Sequence, residues 1–450
     1  MKRHVIAATA VAIAAVLPRI LIVAATTDST VFADMVDYYD RARYLHDHGS
    51  LYPTAFRVPV FPIAITGAFV LFGQNLLAAR ILQCVIFGLI AATTYAIASR
   101  MMSRRRAISA GLIVAWYPGL LLYTVYVVSE PLFMLLTLLA VLAAQHASTL
   151  RWMVTAGILA GLATLTRQAG VAISGALVSW ALLRGTGTWR WHGDARRRAS
   201  LAAAVALGVV LAMSPWVARN YVMFGRWMPL ETTAGITFLM AHYEDATGRY
   251  FVSDWQTVHE RYLNNAPDEF ARNAEAYRLG VEYIKRDPLR ILSLVPWRIG
   301  YLFDMEGREH LWLYTNGYFG ARSRAAVRGF GWAIGLAFPL LLSAAVISLG
   351  LGPPLRSHSE VLIGWVLAVM VVQLLTIYGD PRFHLPLVPF LAILAVRPWR
   401  GAGTGSWSRR AVAMAVLVAA LAWWGGHVRN QLRAIDAAAA PNGWQSAATY

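Results

Sequence analysis

The stretch "FADMVDYYDRARYLHDHGS" (Phe32–Ser50) comes straight after the first apolar run and packs Asp34, Asp37, Asp40 and Asp47 into one short segment. The 450-residue chain around it is 58% hydrophobic and only 14% charged, with a mean hydropathy of +0.51. A soluble domain carries about a quarter charged residues. Read as a loop at the mouth of a helical bundle, the acidic stretch decides the fold, because the sequence on both sides of it is made of apolar runs fit to cross a bilayer.

Working outward, such runs fall near 5–25, 77–98, 107–123, 131–146, 152–168, 169–183, 200–218, 329–349, 360–377, 384–396 and 411–425. The expectation is an all-α polytopic membrane protein of about 11 transmembrane helices. Residues 1–25, opening with Lys2 and Arg3, have the look of a signal peptide. The many apolar runs that follow favour an uncleaved first span. Two further runs, Val58–Phe72 with Pro59 and Pro62, and Leu289–Phe303 with Pro296 and Arg298, are read as juxtamembrane helices along the outer interface.

Arginine placement supports this count. With the N-terminus inside, the inner loops carry Lys2, Arg3, Arg100, Arg104, Arg105, Arg106, Arg151, Arg184, Arg190, Arg196, Arg197, Arg198, Arg356, Arg397, Arg400, Arg409 and Arg410. The short outer segments carry Arg41, Arg43, Arg57, Arg167, Arg382, Arg429 and Arg433. That asymmetry follows the positive-inside rule. It also accounts for the net charge of +17 without nucleic acid, for which no zinc-finger spacing or RNA motif is present. The single cysteine, Cys84, allows no intrachain disulfide. The location expected is a bacterial plasma membrane, with the site facing the periplasm or exterior.

Three parts follow. Residues 1–218 form an N-terminal transmembrane catalytic module that includes an outer loop, 27–76. Residues 219–328 form a small outer helical domain. Residues 329–450 form the C-terminal transmembrane helices and tail. In the middle part, Phe270, Ala274, Tyr277, Val281 and Ile284 recur at helical spacing, and Asp287-Pro288 ends that helix.

Within the opening stretch Asp34, Asp37, Tyr38 and Arg41 sit at i, i+3, i+4 and i+7, one face of a helix. Asp40 and Asp47 read as its solvated side. Four more motifs put ionisable residues where spans meet outer water: "FRVPVFP" with Arg57, "VSEPLF" with Glu130, "LTRQAG" with Arg167 and "DPRFHLPLVP" with Arg382 and His384. Such residues are costly beside a membrane and are paired or functional. Carboxylates suit proton abstraction, and guanidiniums suit phosphate oxygens. Together they point to a lipid-phosphate donor and a hydroxyl acceptor. Plainer readings stand beside these. Arg167 caps a helix, Glu130 favours a helix dipole, and His384 is a buried hydrogen-bond partner. Arg219 anchors a span end, and Arg19 snorkels outward or pairs with an outer carboxylate. Trp116, Tyr117, Tyr123 and Tyr126 line the interface. No H-x-x-x-H spacing is present, and neither a metal nor another cofactor is expected.

The ordered set Asp34-xxx-Tyr38-xxx-Ala42, "RVPVFP", "LAARILQCVIFGLIAATTYAIASRM", "SEPLF", "GLATLTRQAG", "PWVARNYVMFG" and "RFHLPLVPFLAILA" resembles the GT-C glycosyltransferases over roughly residues 5–396. It is most similar to bacterial relatives of the dolichyl-phosphate-mannose protein mannosyltransferases, with the lipid A aminoarabinose transferase a more distant member. The resemblance implies a multi-span helical bundle whose first outer loop carries the catalytic aspartate, matched by Asp34, with Asp37 a rival. It implies a polyprenyl-phosphate sugar as donor. Tyr38, Arg57 and Glu130 match family positions. Valine separates Arg57 from Pro59, where relatives have adjacent prolines. Phe56 stands where some relatives have an acid.

The reaction expected is transfer of a sugar to a hydroxyl on a glycolipid, glycan or protein by one inverting displacement. Asp34 acts as base, and Asp37, Tyr38, Arg57, Glu130, Arg167, Arg382 and His384 bind substrate. A phosphate leaves as a stable anion, so the second, protonated carboxyl of a glycosidase is not needed. Two other readings remain: a lipid or sugar transporter or flippase, and a polysaccharide ligase or polymerase using a lipid diphosphate.

Overall fold

The computed structural model describes residues 2–26, 33–146, 149–184, 195–315, 317–319, 323–397 and 406–438. Through these run α1 (Lys2–Ala24), α2 (Ala33–His48), α3 (Val60–Phe72), α4 (Leu76–Ser99), α5 (Arg104–Trp116), α6 (Pro118–Leu122), α7 (Glu130–Ala144), α8 (Leu150–Thr164), α9 (Gly170–Arg184) and α10 (Ala195–Phe224). There follow α11 (Ala234–His242), α12 (Val252–Val258), α13 (Glu269–Arg286), α14 (Pro288–Leu302), α15 (Arg308–Thr315), α16 (Arg324–Leu351), α17 (His358–Leu374), α18 (Pro381–His384), α19 (Val388–Ala395) and α20 (Trp407–Ala438). Among the described residues the only β pairing is an isolated bridge between Arg249 and Gly379. The chain is an all-α polytopic membrane protein.

A helix occupies every apolar run read from the sequence. Among the described residues α1, α4, α10, α16 and α20 are long and apolar enough to cross a membrane alone. The run 107–123 is broken into α5 and α6 at Tyr117, because Pro118 has no N–H to continue the ladder. The carbonyl of Ala115, left without a helical partner by the break, takes a hydrogen bond from Arg19 at 2.7 Å instead. Arg19 also donates to the Ala15 carbonyl at 2.7 Å and stacks over Phe87, and it is fully buried. Contrary to the expectation from sequence, it neither snorkels nor meets a carboxylate, because a helix end needing a donor lies closer. Tyr117, Tyr123 and Tyr126 are likewise buried. Of the four aromatic residues read as interface lining, only Trp116 is exposed.

The bundle closes through glycines. Gly157 of α8 faces Gly208 of α10, and Gly161 faces Val209 and Ala212. A Cβ on Gly157 would strike the Val205 carbonyl, one on Gly208 the Val154 carbonyl, and one on Gly161 would lie 2.7 Å from Ala212 Cβ. Small residues four apart let the two backbones touch, the geometry that packs helices where no hydrophobic force acts between them. One continuous core runs from α1 to α19.

A second core joins α11, α12, α13 and α14 through Ile236, Leu239, Val258, Ala276 and Leu294. The face of α13 differs from the one read from sequence. Phe270, Asn273, Ala276 and Gly280 are buried, while Ala274, Tyr277 and Val281 are exposed. The cause is the close approach of α11. Asn273 Oδ1 accepts from the Gly235 N–H at 2.7 Å, and a Cβ on Gly280 would lie 2.6 Å from the Phe238 ring. A seam that tight selects small residues over large apolar ones. Val58–Phe72 becomes α3, packed on α2 and α4. Buried Arg298 of α14 donates to Ala241 O at 2.7 Å and Leu375 O at 2.9 Å, tying this core to the end of α17 and so to the turn that leads into α18.

Candidate active site

Five separate pieces of chain bring ionisable side chains to one end of the bundle. The first is α2, whose opening turn carries Asp34 near the positive end of the helix dipole. Asp37 lies one turn on and pairs with Arg41 at 2.8 Å. The second piece is the loop before α3, which turns at Gly49 (φ 65°) and carries Arg57. Six hydrogen bonds fix its course. Thr232 N–H donates to Ala55 O at 3.0 Å, and Ala55 N–H to Glu269 Oε1 at 3.0 Å. Arg219 donates to Thr54 O at 3.0 Å and to Tyr52 O at 2.5 Å, Arg41 to Thr54 Oγ1 at 3.1 Å, and Val60 N–H to Leu165 O at 3.0 Å. Arg219 is thus an anchor, stacked between Trp216 and Phe224.

From this loop Arg57 reaches Asp34 Oδ1 at 2.7 Å and Asp37 Oδ2 at 3.2 Å, while lying over the Tyr38 ring. The third piece is the start of α7, where Glu130 is buried against Arg167 at 2.9 Å. The fourth is the end of α8, which supplies Arg167; its Nη1 also donates to Ser129 Oγ at 3.2 Å. The fifth is α18, whose Arg382 donates to Asp34 Oδ2 at 2.9 Å and also to Glu130. Carboxylates and guanidiniums alternate: Asp37, Arg57, Asp34, Arg382, Glu130, Arg167. Burial alone would push the Asp34 carboxyl up, but Arg382 and Arg57 outweigh it and hold it well below the usual carboxylate range. Burial would likewise weaken the Arg57 charge, but Tyr38, Asp34, Glu231 and Asp37 strengthen it. The Tyr38 phenol is pushed up by burial and stays neutral.

Beside the cluster lies a small cleft enclosing about 30 Å³. Glu130, Arg167 and Arg382 form its polar wall, and Phe133, Met370 and Leu374 form its apolar wall. Glu130 Oε2, buried, has no hydrogen-bond partner among the described residues. Nor do the described residues contain a group of three His, Cys, Asp or Glu side chains able to hold a metal ion.

Of the residues singled out in sequence, the structure unites Asp34, Asp37, Tyr38, Arg57, Glu130, Arg167 and Arg382. Tyr38 lies one layer down, its hydroxyl 3.1 Å from Ser129 Oγ. His384 stands apart, fully buried against Glu306 and the Leu302 carbonyl. Sequence reasoning missed three participants. Ser129 links Tyr38 to Arg167. Asp380 caps α18, its Oδ1 accepting from Arg382 N at 2.9 Å. Glu231 is buried and acts on Arg57. Glu231 supplies an acid near Arg57 where the chain has Phe56, but no local motif marks it.

The sequence model of the dolichyl-phosphate-mannose-protein mannosyltransferase family matches residues 53–217. No curated protein matches the chain by sequence. Among solved structures, the oligosaccharyltransferase of Archaeoglobus fulgidus tethered to an acceptor peptide superposes with a TM-score of 0.50 at 15% identity, over 99% of this chain and 55% of that one. Its apo form gives 0.50 at 14% identity, over 99% and 56%. ArnT of Cupriavidus metallidurans bound to undecaprenyl phosphate gives 0.49 at 17% identity, over 92% and 63%. The chain therefore spans little more than half the length of the oligosaccharyltransferase it resembles. It is a polytopic membrane protein with the GT-C fold, and its residues 53–217 match the sequence model of the dolichyl-phosphate-mannose-protein mannosyltransferases.

Proposed function

We propose that the chain transfers a sugar from a polyprenyl-phosphate donor to a hydroxyl acceptor, by a single inverting displacement, on the outer face of a bacterial plasma membrane. The observation that carries this reading is the alternating row of carboxylates and guanidiniums beside a cleft with one apolar wall. An isoprenoid tail suits Phe133, Met370 and Leu374, and its phosphate suits the neighbouring guanidiniums. The matched family, named for dolichyl-phosphate-mannose, supports a donor of this class. The arginine asymmetry of the loops supports the outer face.

The chemistry follows from competition for the guanidiniums. Arg57 and Arg382, paired with Asp34, neutralise it and make it a weak base. An incoming phosphate draws both toward itself, and the basicity of Asp34 rises as it loses them. Asp34 then takes the proton of the acceptor hydroxyl as its oxygen attacks the anomeric carbon. The bond to the phosphate oxygen breaks on the opposite face, and the leaving phosphate carries its electron pair away between Arg57 and Arg382. Each such contact supplies about 3–4 kcal/mol of transition-state stabilisation. Glu130 Oε2, free to accept, suits a sugar hydroxyl. Residues 219–328, which hold the Arg57 loop through Thr232 and Glu269, form the part that selects the acceptor.

The test is transfer from defined polyprenyl-phosphate sugars by the purified protein in nanodiscs, with the anomeric configuration of the product read by NMR. Inverted product from wild type and none from Asp34→Asn supports the reading. Retained configuration, or substrate uptake into proteoliposomes without transfer, overturns it.

A further inference from the structure

Behind the cluster lies a buried ionisable pair that the proposed chemistry does not use. Glu306, in the turn after α14, and His384, the last residue of α18, are both buried. His384 Nδ1 is 2.7 Å from the Leu302 carbonyl oxygen, and Nε2 is 2.9 Å from Glu306 Oε1. The imidazole lies flat on the Phe338 ring, with centroids 3.4 Å apart. Tyr117 donates to the same Glu306 oxygen. The Gln431 amide donates to the Glu306 backbone carbonyl at 3.1 Å. Gly119 leaves the space that Glu306 Oε2 fills, since a Cβ there would fall on it. A carbonyl only accepts, so Nδ1 carries a proton, and the Nε2–Oε1 contact then needs one more, shared within the pair. The result is a buried hydrogen bond that pins α18 to the turn after α14, to the α5–α6 break and to α20.

We propose that Glu306 is a positioning residue for Arg382, acting through His384. The helix α18 is a single turn that runs directly into the tight turn Leu385–Leu387 and then α19, so its α19 end is carried by the core, and its side-chain ties set how the turn is rotated. Asp380 fixes its first end through Arg382 N, and His384 fixes its last. Arg382 sits between them and reaches both Asp34 and Glu130. With the Glu306 bond gone, the turn keeps its continuity with α19 but loses the side-chain tie that fixes its rotation, and the guanidinium loses its aim. The inference rests on Arg382 gripping the donor phosphate, as read above.

The experiment measures the affinity of the full-length protein in nanodiscs for undecaprenyl phosphate. Arg382→Ala weakens binding about tenfold or more, and Glu306→Ala about tenfold. The double variant binds no more weakly than Arg382→Ala, because both changes remove one interaction. Glu306→Gln stays within about threefold of wild type, since a neutral imidazole accepts at Nε2 from the glutamine amide. If Glu306→Ala does not fold, Tyr117→Phe carries the comparison. It weakens binding about threefold in the wild-type background and not at all in the Arg382→Ala background. Wild-type affinity in a folded Glu306→Ala, losses that multiply with Arg382→Ala, or a Glu306→Gln as weak as Glu306→Ala each overturn the inference. Unchanged binding by Arg382→Ala, or none by wild type, removes the phosphate reading of Arg382 and the inference with it. That result is told apart because it shows before any Glu306 variant is compared.

Discussion

Asp34 accepts one guanidinium on each carboxylate oxygen, Arg57 on Oδ1 and Arg382 on Oδ2. Asparagine in its place keeps the size, takes no proton and sets an NH2 against an arginine. Asp34→Asn is expected to cut turnover by about 10²–10⁴-fold with donor binding retained. Arg57→Lys is expected to cost about 10²–10³-fold in kcat/KM, because an ammonium cannot span Asp34 and Asp37 as the planar fork does. The pH dependence follows from the depressed Asp34 value. A carboxyl held below its unfolded value contributes stability above the ordinary carboxylate range, and that contribution is lost only as pH falls through the depressed value. The acid limb of kcat/KM, which reports the free enzyme, should therefore lie below pH ~4. Bound phosphate draws the arginines off Asp34, so the acid limb of kcat should lie at higher pH. Coincident limbs would remove Asp34 as the base. At this scale much was legible, because an ionised residue at the edge of an apolar run is conspicuous. Ser129, Glu231 and Glu306 were not, since each gains its partner only when distant segments meet.

At the scale of elements, the crossing of α8 and α10 has no room for a side chain at Gly157, Gly161 or Gly208. Gly208→Val is expected to destabilise by about 1–3 kcal/mol, seen as a lower Tm in detergent. Gly175→Ala on α9, where a Cβ meets open space, should leave Tm unchanged. Helix positions were readable because an apolar run in a bilayer must satisfy its own backbone and so coils. The buried face of α13 was not. Periodicity finds apolar stripes, but a seam closed by Asn273 and Gly280 is chosen for small size and a hydrogen bond. The break between α5 and α6 was hidden for a related reason. Pro118 is visible, but the arginine that satisfies the freed carbonyl lies 96 residues away in α1.

At the scale of the molecule, every carboxylate of the cluster is already held by guanidiniums. Asp34, Asp37 and Glu130 are ion-paired with Arg41, Arg57, Arg167 and Arg382. A divalent cation would have to displace guanidiniums from the carboxylate oxygens it needs. Transfer is therefore expected to stay within about twofold after exhaustive chelation. A larger loss restored by added metal would contradict the arginine account. The order of apolar runs and the gathering of charged motifs at one end were legible from composition and alternation alone. The attachment of the second core through Arg298 was not, because it depends on contacts between α14 and the end of α17.

Glu269 ties two segments together: its carboxylate accepts from Ala55 N–H at 3.0 Å and from the Thr232 hydroxyl at 2.7 Å. For anyone grafting the 219–328 region from a relative to redirect acceptor choice, that carboxylate is a splice constraint. A chimera lacking it would leave the first loop unmoored and Arg57 adrift, so a dead hybrid would report a lost tether before it reported a mismatched acceptor.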